Sequence, residues 1–310
     1  MAVTLFPGAA SGAGFLFYEV GSSEVGLASA GYAARASSAS TLLSNPAGMT
    51  RLEGTQVQVA STLVYGHLQF SPDAQTDRRL GTNDGGNAVG FLPTVGAFAS
   101  FAPEKDVRLG VGLFTNFGAP QSWDPAWVGR YYTTKTTLLG LSIMPAVAWR
   151  VMEGLSLGAA VNIMSGHLKQ VVAIPNLEPQ ATDGSMEVSS NTWGVGGNLG
   201  ILYALSPATR FGFTYTSPIK LNFSATPTFS GLGPAIGAAV RVAGLDTTRI
   251  DLGMKVPQTV MFGFAQAFGD RWTLMGDVGW QNWAAFGAVE VGISSPDAHS
   301  VTTQLGYDDT

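Results

Sequence analysis

"WGVGGNLGILYAL", residues 193–205, alternates along its length. Trp193, Val195, Leu199, Ile201, Tyr203 and Leu205 fall on one face of an extended chain. Gly194, Gly196, Asn198, Gly200 and Leu202 fall on the other. Period two is the signature of a strand with two different surroundings. A water-soluble sandwich alternates too, but its polar face would carry Lys, Glu, Thr and Arg. Here the second face is mostly Gly and Asn. Large apolar side chains outside and small or polar ones inside fit a strand between lipid and a lumen.

The same pattern recurs. In "VRLGVGLF", Val107, Leu109, Val111 and Leu113 oppose Arg108, Gly110, Gly112 and Phe114. "LSLGAAVNI" sets Leu155, Leu157, Ala159, Val161 and Ile163 against Ser156, Gly158, Ala160 and Asn162, and "RWTLMGDVGWQNW" repeats it with Trp272, Leu274, Val278 and Trp280. Composition agrees. Charged residues are 12% of the 310, about half the usual share of a soluble domain, too few to cover a water-facing surface. No apolar run reaches the roughly 18 residues of a membrane-spanning helix. The 40 glycines lack the every-third spacing of collagen. These features predict an all-β chain forming a transmembrane antiparallel β-barrel.

Tight connections, "WRVMEGLSL", "ALSPATRF" and "AFGDRWTL", read as turns on one side of the membrane. Longer excursions, about residues 115–137, 172–190 and 229–255, read as loops on the other. Trp149, Trp193, Trp272, Trp280 and Trp283 lie near expected strand ends, as in interfacial girdles, although any one of them also suits a packed core.

Other chemistries find little support. A net charge of −5 argues against nucleic-acid binding. The absence of cysteine excludes disulfides, thiol catalysis and the usual structural zinc ligands. His67, His167 and His299 are far apart, and no triad can be assembled from sequence. "GVGGNLG" misses the dinucleotide fingerprint and sits inside a strand. The loop aspartates lack calcium-loop spacing, and the sequon at Asn222 falls in a strand. No catalytic residue, metal or cofactor is expected. The start, "MAVTLFPGAASGAGFLFYEVG", has no basic n-region, so residues 1–14 read as the remnant of a leader or a disordered N-terminus.

"SAGYAARASSAS" followed by "LLSNPAGMTRLEG" is a small-residue run ending in an Asn45-Pro46 turn. The segment "GAGFLFYEVGSSEVGLASAGYAARASSASTLLSNPAGMTRL" resembles the N-terminal hatch of the FadL/TodX/OMPP1 family of outer-membrane transporters of hydrophobic compounds. "TWGVGGNLGILYALSPATRFGFTYTSPIKLNF" and "VPQTVMFGFAQAFGDRWTLMGDVGWQNWAAF" are similar to strand pairs of that family, and "LGYDDT" to the run into a following strand. The resemblance implies a hatch over residues 15–54, plugging the lumen with short helices, and a barrel over 55–310. Asn45, Pro46 and Ala47 would fix the turn where hatch meets barrel. The family barrel has about fourteen strands, an even number as such barrels do. Roughly nine can be placed here, so the expectation is a barrel missing its C-terminal strands.

The resemblance further implies a monomer in the bacterial outer membrane, in contact with its lipid and lipopolysaccharide. Its function would be passive uptake of hydrophobic small molecules, long-chain fatty acids or aromatic hydrocarbons, by loop capture, lumen binding and hatch-gated or lateral release. A barrel enzyme acting on lipids and a structural or adhesive protein are the alternatives. In and beside "TNFGAPQSWDPAWVGRYYTTK", Phe117, Trp123, Trp127, Tyr131 and Tyr132 form either an apolar capture groove or the loop's own small core. In "SPIKLNFS", Ile219, Leu221 and Phe223 take the lipid-facing parity, which points Lys220 inward. Lys220 then either anchors a ligand carboxylate or pairs with a hatch acid such as Glu24. Arg130 is the second candidate anchor.

Overall fold

A computed structural model describes residues 16, 18–118, 120–178, 181–287, 289–295 and 298–305. Residues 1–14, read above as a leader remnant or disordered N-terminus, and the chain end at 309–310 lie outside them. Helices α1 (Ser22–Gly26) and α2 (Thr41–Ser44) and a 3-10 helix (Pro46–Arg51) come first. Strands β1 (Gln56–Gly66), β2 (Gly90–Glu104), β3 (Val107–Gly118), β4 (Gln121–Ser122), β5 (Lys135–Met152), β6 (Leu155–Ile174) and β7 (Gly184–Ala204) follow. Then come β8 (Thr209–Thr216), β9 (Ile219–Ala225), β10 (Thr228–Ser230), helix α3 (Pro234–Val242), β11 (Arg249–Val256), β12 (Thr259–Phe268) and β13 (Trp272–Gln281). Helix α4 (Ala284–Gly287), β14 (Val289–Ser295) and β15 (Ala298–Leu305) complete the order. Among the described residues no helix is long and apolar enough to cross a membrane.

The main sheet is an antiparallel meander in the order β1-β2-β3-β5-β6-β7-β8-β12-β13. Its edge strands, β1 and β13, are not paired with each other among the described residues. Strands β6 and β7 run 20 and 21 residues, about twice what a tilted strand needs to cross the hydrocarbon core, so they project beyond it and carry the loops. The alternation read from sequence is realised on the outer face, where Leu109, Val111, Leu113, Val161, Ile163, Val195, Leu199 and Ile201 are exposed. The inner face carries Arg108, Ser142, Ser156, Ala160, Asn162 and Asn198, all buried.

The tight turns fall at one end and the longer connections at the other. The loop readings hold only in part: 115–137 takes in the end of β3, β4 and the start of β5, and 229–255 contains helix α3 and most of β11. Residues 172–174 and 184–190 are strand, and the segment 67–89 between β1 and β2 is a long loop not anticipated.

A second sheet runs β15-β14-β11-β9. The β8–β12 pairing ends at Thr216 opposite Thr259, and the β9–β11 pairing resumes at Ile219 opposite Val256. Between them lie Pro218 and Pro257, one on each strand, where neither can donate a ladder hydrogen bond. Beyond this break β9 no longer extends the wall. Its Ile219, Leu221 and Phe223, with Met254 and Val256 of β11, pack on Phe117 of β3 and Met164 of β6. Hydrogen bonds between the Ser190 hydroxyl on β7 and the Ser224 backbone, both 3.0 Å, fasten it there.

This overturns the parity assigned to β9. Ile219, Leu221 and Phe223 do not face lipid; they are buried at 1%, 0% and 2% exposure, and Lys220 lies on the opposite, exposed face. The alternation was real. What decides the face is a packing partner, the inner side of β3 and β6, that a single strand's pattern does not contain.

Candidate functional site

The segment from Tyr18 to Gly54 lies on the inner side of the main sheet. Val20, Ala39, Leu42, Met49 and Leu52 share one core with Phe98 of β2, Phe114 of β3, Met144 of β5 and Ala160 of β6. Further along the wall, Asp277 of β13 accepts the backbone N–H of Tyr32 (2.8 Å) and of Ala33 (3.0 Å). Arg210 of β8 donates to the carbonyls of Ala34 and Arg35. Arg108 of β3 donates to the carbonyls of Leu52 and Gly54. The sheet therefore wraps around the segment from β2 to β13, and inward charges satisfy backbone groups that short helices leave open.

Asn45 sits at the centre. The residue before a proline is pushed to extended geometry, and Asn45 has φ −152° and ψ 101°. It ends α2 and caps the 3-10 helix, its Oδ1 accepting from the Ala47 N–H at 3.1 Å. Its Nδ2 donates to the Ala33 carbonyl (2.6 Å) and to the Ile201 carbonyl of β7 (3.0 Å). Pro46 and Ala47 are buried beside it. The wall admits this turn because it has no side chains there: a Cβ on Gly158 would strike the Pro46–Ala47 backbone, and one on Gly200 the Asn45 side chain. Nearby, Glu24 and Arg35 form a buried ion pair, and the Ser40 hydroxyl donates to Glu24 at 2.8 Å. Glu24 is thus Arg35's partner and not that of Lys220.

The candidate loop aromatics separate. Phe117 is not in the loop but on β3, buried in the cluster beneath β9. Trp123 and Trp127 stack at 4.3 Å and 9° and pack with Ala88 and Val128, with the Trp127 indole N–H donating to the Thr133 carbonyl at 2.7 Å. They form the loop's own core. Tyr131 donates to Asp183 at 3.0 Å, and Tyr132 is 82% exposed. Arg130 is engaged, with Asp183 at 2.7 Å, the Tyr131 hydroxyl at 3.1 Å and two backbone carbonyls. Burial pulls its pKa down, but Asp183 and Tyr131 outweigh that and raise it. Its charge is not free for a ligand.

Two features escaped the sequence reading. The first is an apolar cavity of about 310 Å³ between the outer halves of β6–β7 and the β9–β11 ribbon, lined by Leu168, Met186, Val188, Phe223, Ile250 and Leu252. The second is Lys255, directly opposite Lys220 in the β9–β11 register. Two like charges at opposite positions are unfavourable without a counter-ion, and no ion pair to either lysine occurs among the described residues. Asn222 opposite Gly253 lies next on that face, and Glu290 of β14 is in register with Gly253. The pairing of β9 with β11 could not be read from "SPIKLNFS" alone.

An antiparallel meander, apolar outside and enclosing its own N-terminal segment, defines a β-barrel membrane protein with an internal plug. Residues 3–310 match the family described as outer membrane protein transport protein (OMPP1/FadL/TodX), and the chain belongs to that family. It is 27% identical over 262 residues to outer membrane protein P1 of Haemophilus influenzae, covering 72% of this chain and 57% of that protein. It is 25% identical over 317 residues to the long-chain fatty acid transport protein of Escherichia coli O6:H1, covering 92% of this chain and 69% of that one. The chain thus spans less than two thirds of the length of the Haemophilus relative. Its fold is similar to a Pseudomonas aeruginosa FadL homologue (TM-score 0.73, 21% identity, 95% of this chain and 75% of the other). It is also similar to the Pseudomonas putida toluene transporter TodX (TM-score 0.59, 17% identity, 89% and 73%).

Proposed function

We propose that this protein is a passive outer-membrane conduit for hydrophobic small molecules, with long-chain fatty acids as its cargo. The observation that carries this reading is the apolar cavity beneath the β9–β11 ribbon, walled by aliphatic and aromatic side chains and lying on the long-loop side of a plugged lumen. A cavity of that size and lining suits an alkyl chain or a small hydrocarbon. Residues 15–54 act as the hatch, and the Asn45–Ala47 turn, Asp277 and Arg210 hold it shut. Capture at the loop end falls to the rim, where Tyr132 is exposed, with Trp123 and Trp127 stiffening the loop behind it. Lys220 and Lys255 together give a carboxylate a two-cation seat that neither gives alone, in keeping with the preference of fixed charges for an ionised partner.

The experiment is uptake by cells lacking their own fatty-acid porin. Expressing the protein should restore uptake of labelled oleate, and Lys220→Met/Lys255→Met should lower oleate uptake several-fold while sparing a neutral hydrocarbon such as toluene. Equal loss of both would assign the lysines a structural role, and failure to restore either would reject the conduit.

A further inference from the structure

A belt of uncharged polar side chains crosses the inner wall at one level, just below the breaks at Pro218 and Pro257. Asn198 of β7 stands opposite Thr216 of β8, and Thr216 opposite Thr259 of β12. Asn162 of β6 lies diagonal to Asn198, whose register partner is Ala160. These four, with Thr214, line a cavity of about 70 Å³ between the wall and the hatch, and none of its lining residues is charged. Its apolar side is made by Leu16 and Leu43 of the N-terminal segment with Phe114, Met144 and Met261 of the wall. The polar side is incompletely paired. Asn162 is 4% exposed and Asn198 2%, yet the Oδ1 of each has no partner among the described residues. The Asn198 amide cannot turn to relieve this, because its Nδ2 donates to the Leu43 carbonyl at 3.0 Å and a flip would set two oxygens face to face. Buried amide oxygens are rarely left without a donor. A single water needs roughly 15 Å³ of such space, so the cavity has room for a small head group.

We propose that this cavity binds the hydroxyl group of an uncharged apolar molecule, an aliphatic or aromatic alcohol. The hydroxyl donates to one of the two free amide oxygens, and its carbon chain lies against Phe114, Met144 and Met261. An ionised carboxylate cannot take the same place. It can only accept hydrogen bonds, it would meet two amide oxygens, and no lining cation would offset its lost hydration. A hydrocarbon fits the apolar side but leaves both oxygens unpaired, and a site built to hydrogen-bond a hydroxyl rejects the analogue that lacks one. Alcohols are thus a second ligand class beside the fatty acids proposed above. The site needs neither the outer lysines nor passage through the barrel, so alcohol binding and oleate uptake stand or fall separately.

The test is a titration of the purified protein, with its asparagines labelled with nitrogen-15, in micelles of a detergent that has no hydroxyl group. The ligands are 1-octanol, methyl octyl ether, which can accept but not donate, and octanoate. Octanol should move the side-chain amide resonances of Asn162 and Asn198 saturably, the ether should bind about five-fold more weakly, the worth of one neutral hydrogen bond, and octanoate should leave both resonances in place. Asn162→Leu, close in size and without the oxygen, should weaken octanol about five-fold and the ether by no more than about two-fold. Octanol binding unchanged in that variant would overturn the site, as would a parallel fall for the ether, which would mean a lost cavity and not a lost hydrogen bond. If the variant does not fold, the ranking in the unaltered protein decides: ether or octanoate equal to octanol rejects the site. Asparagine resonances that octanol does not move would show the cavity to hold water only, and would reject it too.

Discussion

The Asn45 side chain makes three hydrogen bonds, accepting from Ala47 and donating to Ala33 and Ile201, a set that needs a carboxamide held this close to the backbone. Asn45→Ala should destabilise the hatch by about 2–4 kcal/mol, a lost cap plus unsatisfied buried carbonyls. Hydrogen exchange at the amides of 47–50 would report it, and unchanged protection would remove the turn from the account. The Asn-Pro turn itself was legible, because proline restricts its neighbour wherever the two sit. What the turn rests on was not, since Gly158 and Gly200 announce only absent side chains. The Glu24–Arg35 pair is a second case at this scale. Arg35→Met leaves a carboxylate buried without its cation and should cost about 3–5 kcal/mol, whereas Glu24→Met/Arg35→Met should cost less. Unfolding midpoints of the two single variants and the double variant decide it, and losses that simply add in the double variant would show the pair to be uncoupled.

The β9–β11 ribbon decides the site at the level of elements. Alternation in "SPIKLNFS" established a strand with two faces, and that much was readable. Which face is buried depends on Pro218 and Pro257 breaking adjacent strands at one level, and on the inner surface of β3 and β6 receiving the apolar side. Neither is local to the octapeptide. The loop aromatics show the same limit: a groove and a stacked core use the same residues, and only the 4.3 Å stacking of Trp123 on Trp127 tells them apart. The inverted parity gives a sharp contrast. Leu221→Asp places a charge in a fully buried apolar cluster and should detach the ribbon from β7, while Lys220→Asp on the open face should leave it seated. Protease sensitivity of the 217–256 segment measures this, and the opposite pattern would restore the lipid-facing assignment of Leu221.

Across the whole molecule one face of every wall strand is apolar and exposed, while the opposite face is small, polar or packed on the N-terminal segment. That division is the part of the fold most fully written in the sequence, because period two and low charge act over the full chain. The exposed apolar band is stable only against lipid, since water would leave a continuous patch far larger than a soluble monomer carries. Its depth dependence can be measured. Val161 stands seven residues beyond the tight turn at Gly154, while Trp272 directly follows the turn at 269–271. A tilted strand crosses the hydrocarbon core in about 9–11 residues, which puts Val161 near its middle and Trp272 at its margin. Val161→Arg should therefore cost about 2–4 kcal/mol and Trp272→Arg the charge penalty of an interface, about 0–1 kcal/mol, beyond any lost indole packing. Reversible folding into lipid vesicles gives both numbers. The assignment of the outer face requires Val161→Arg to be the more damaging substitution in lipid, and equal costs at the two depths would contradict it.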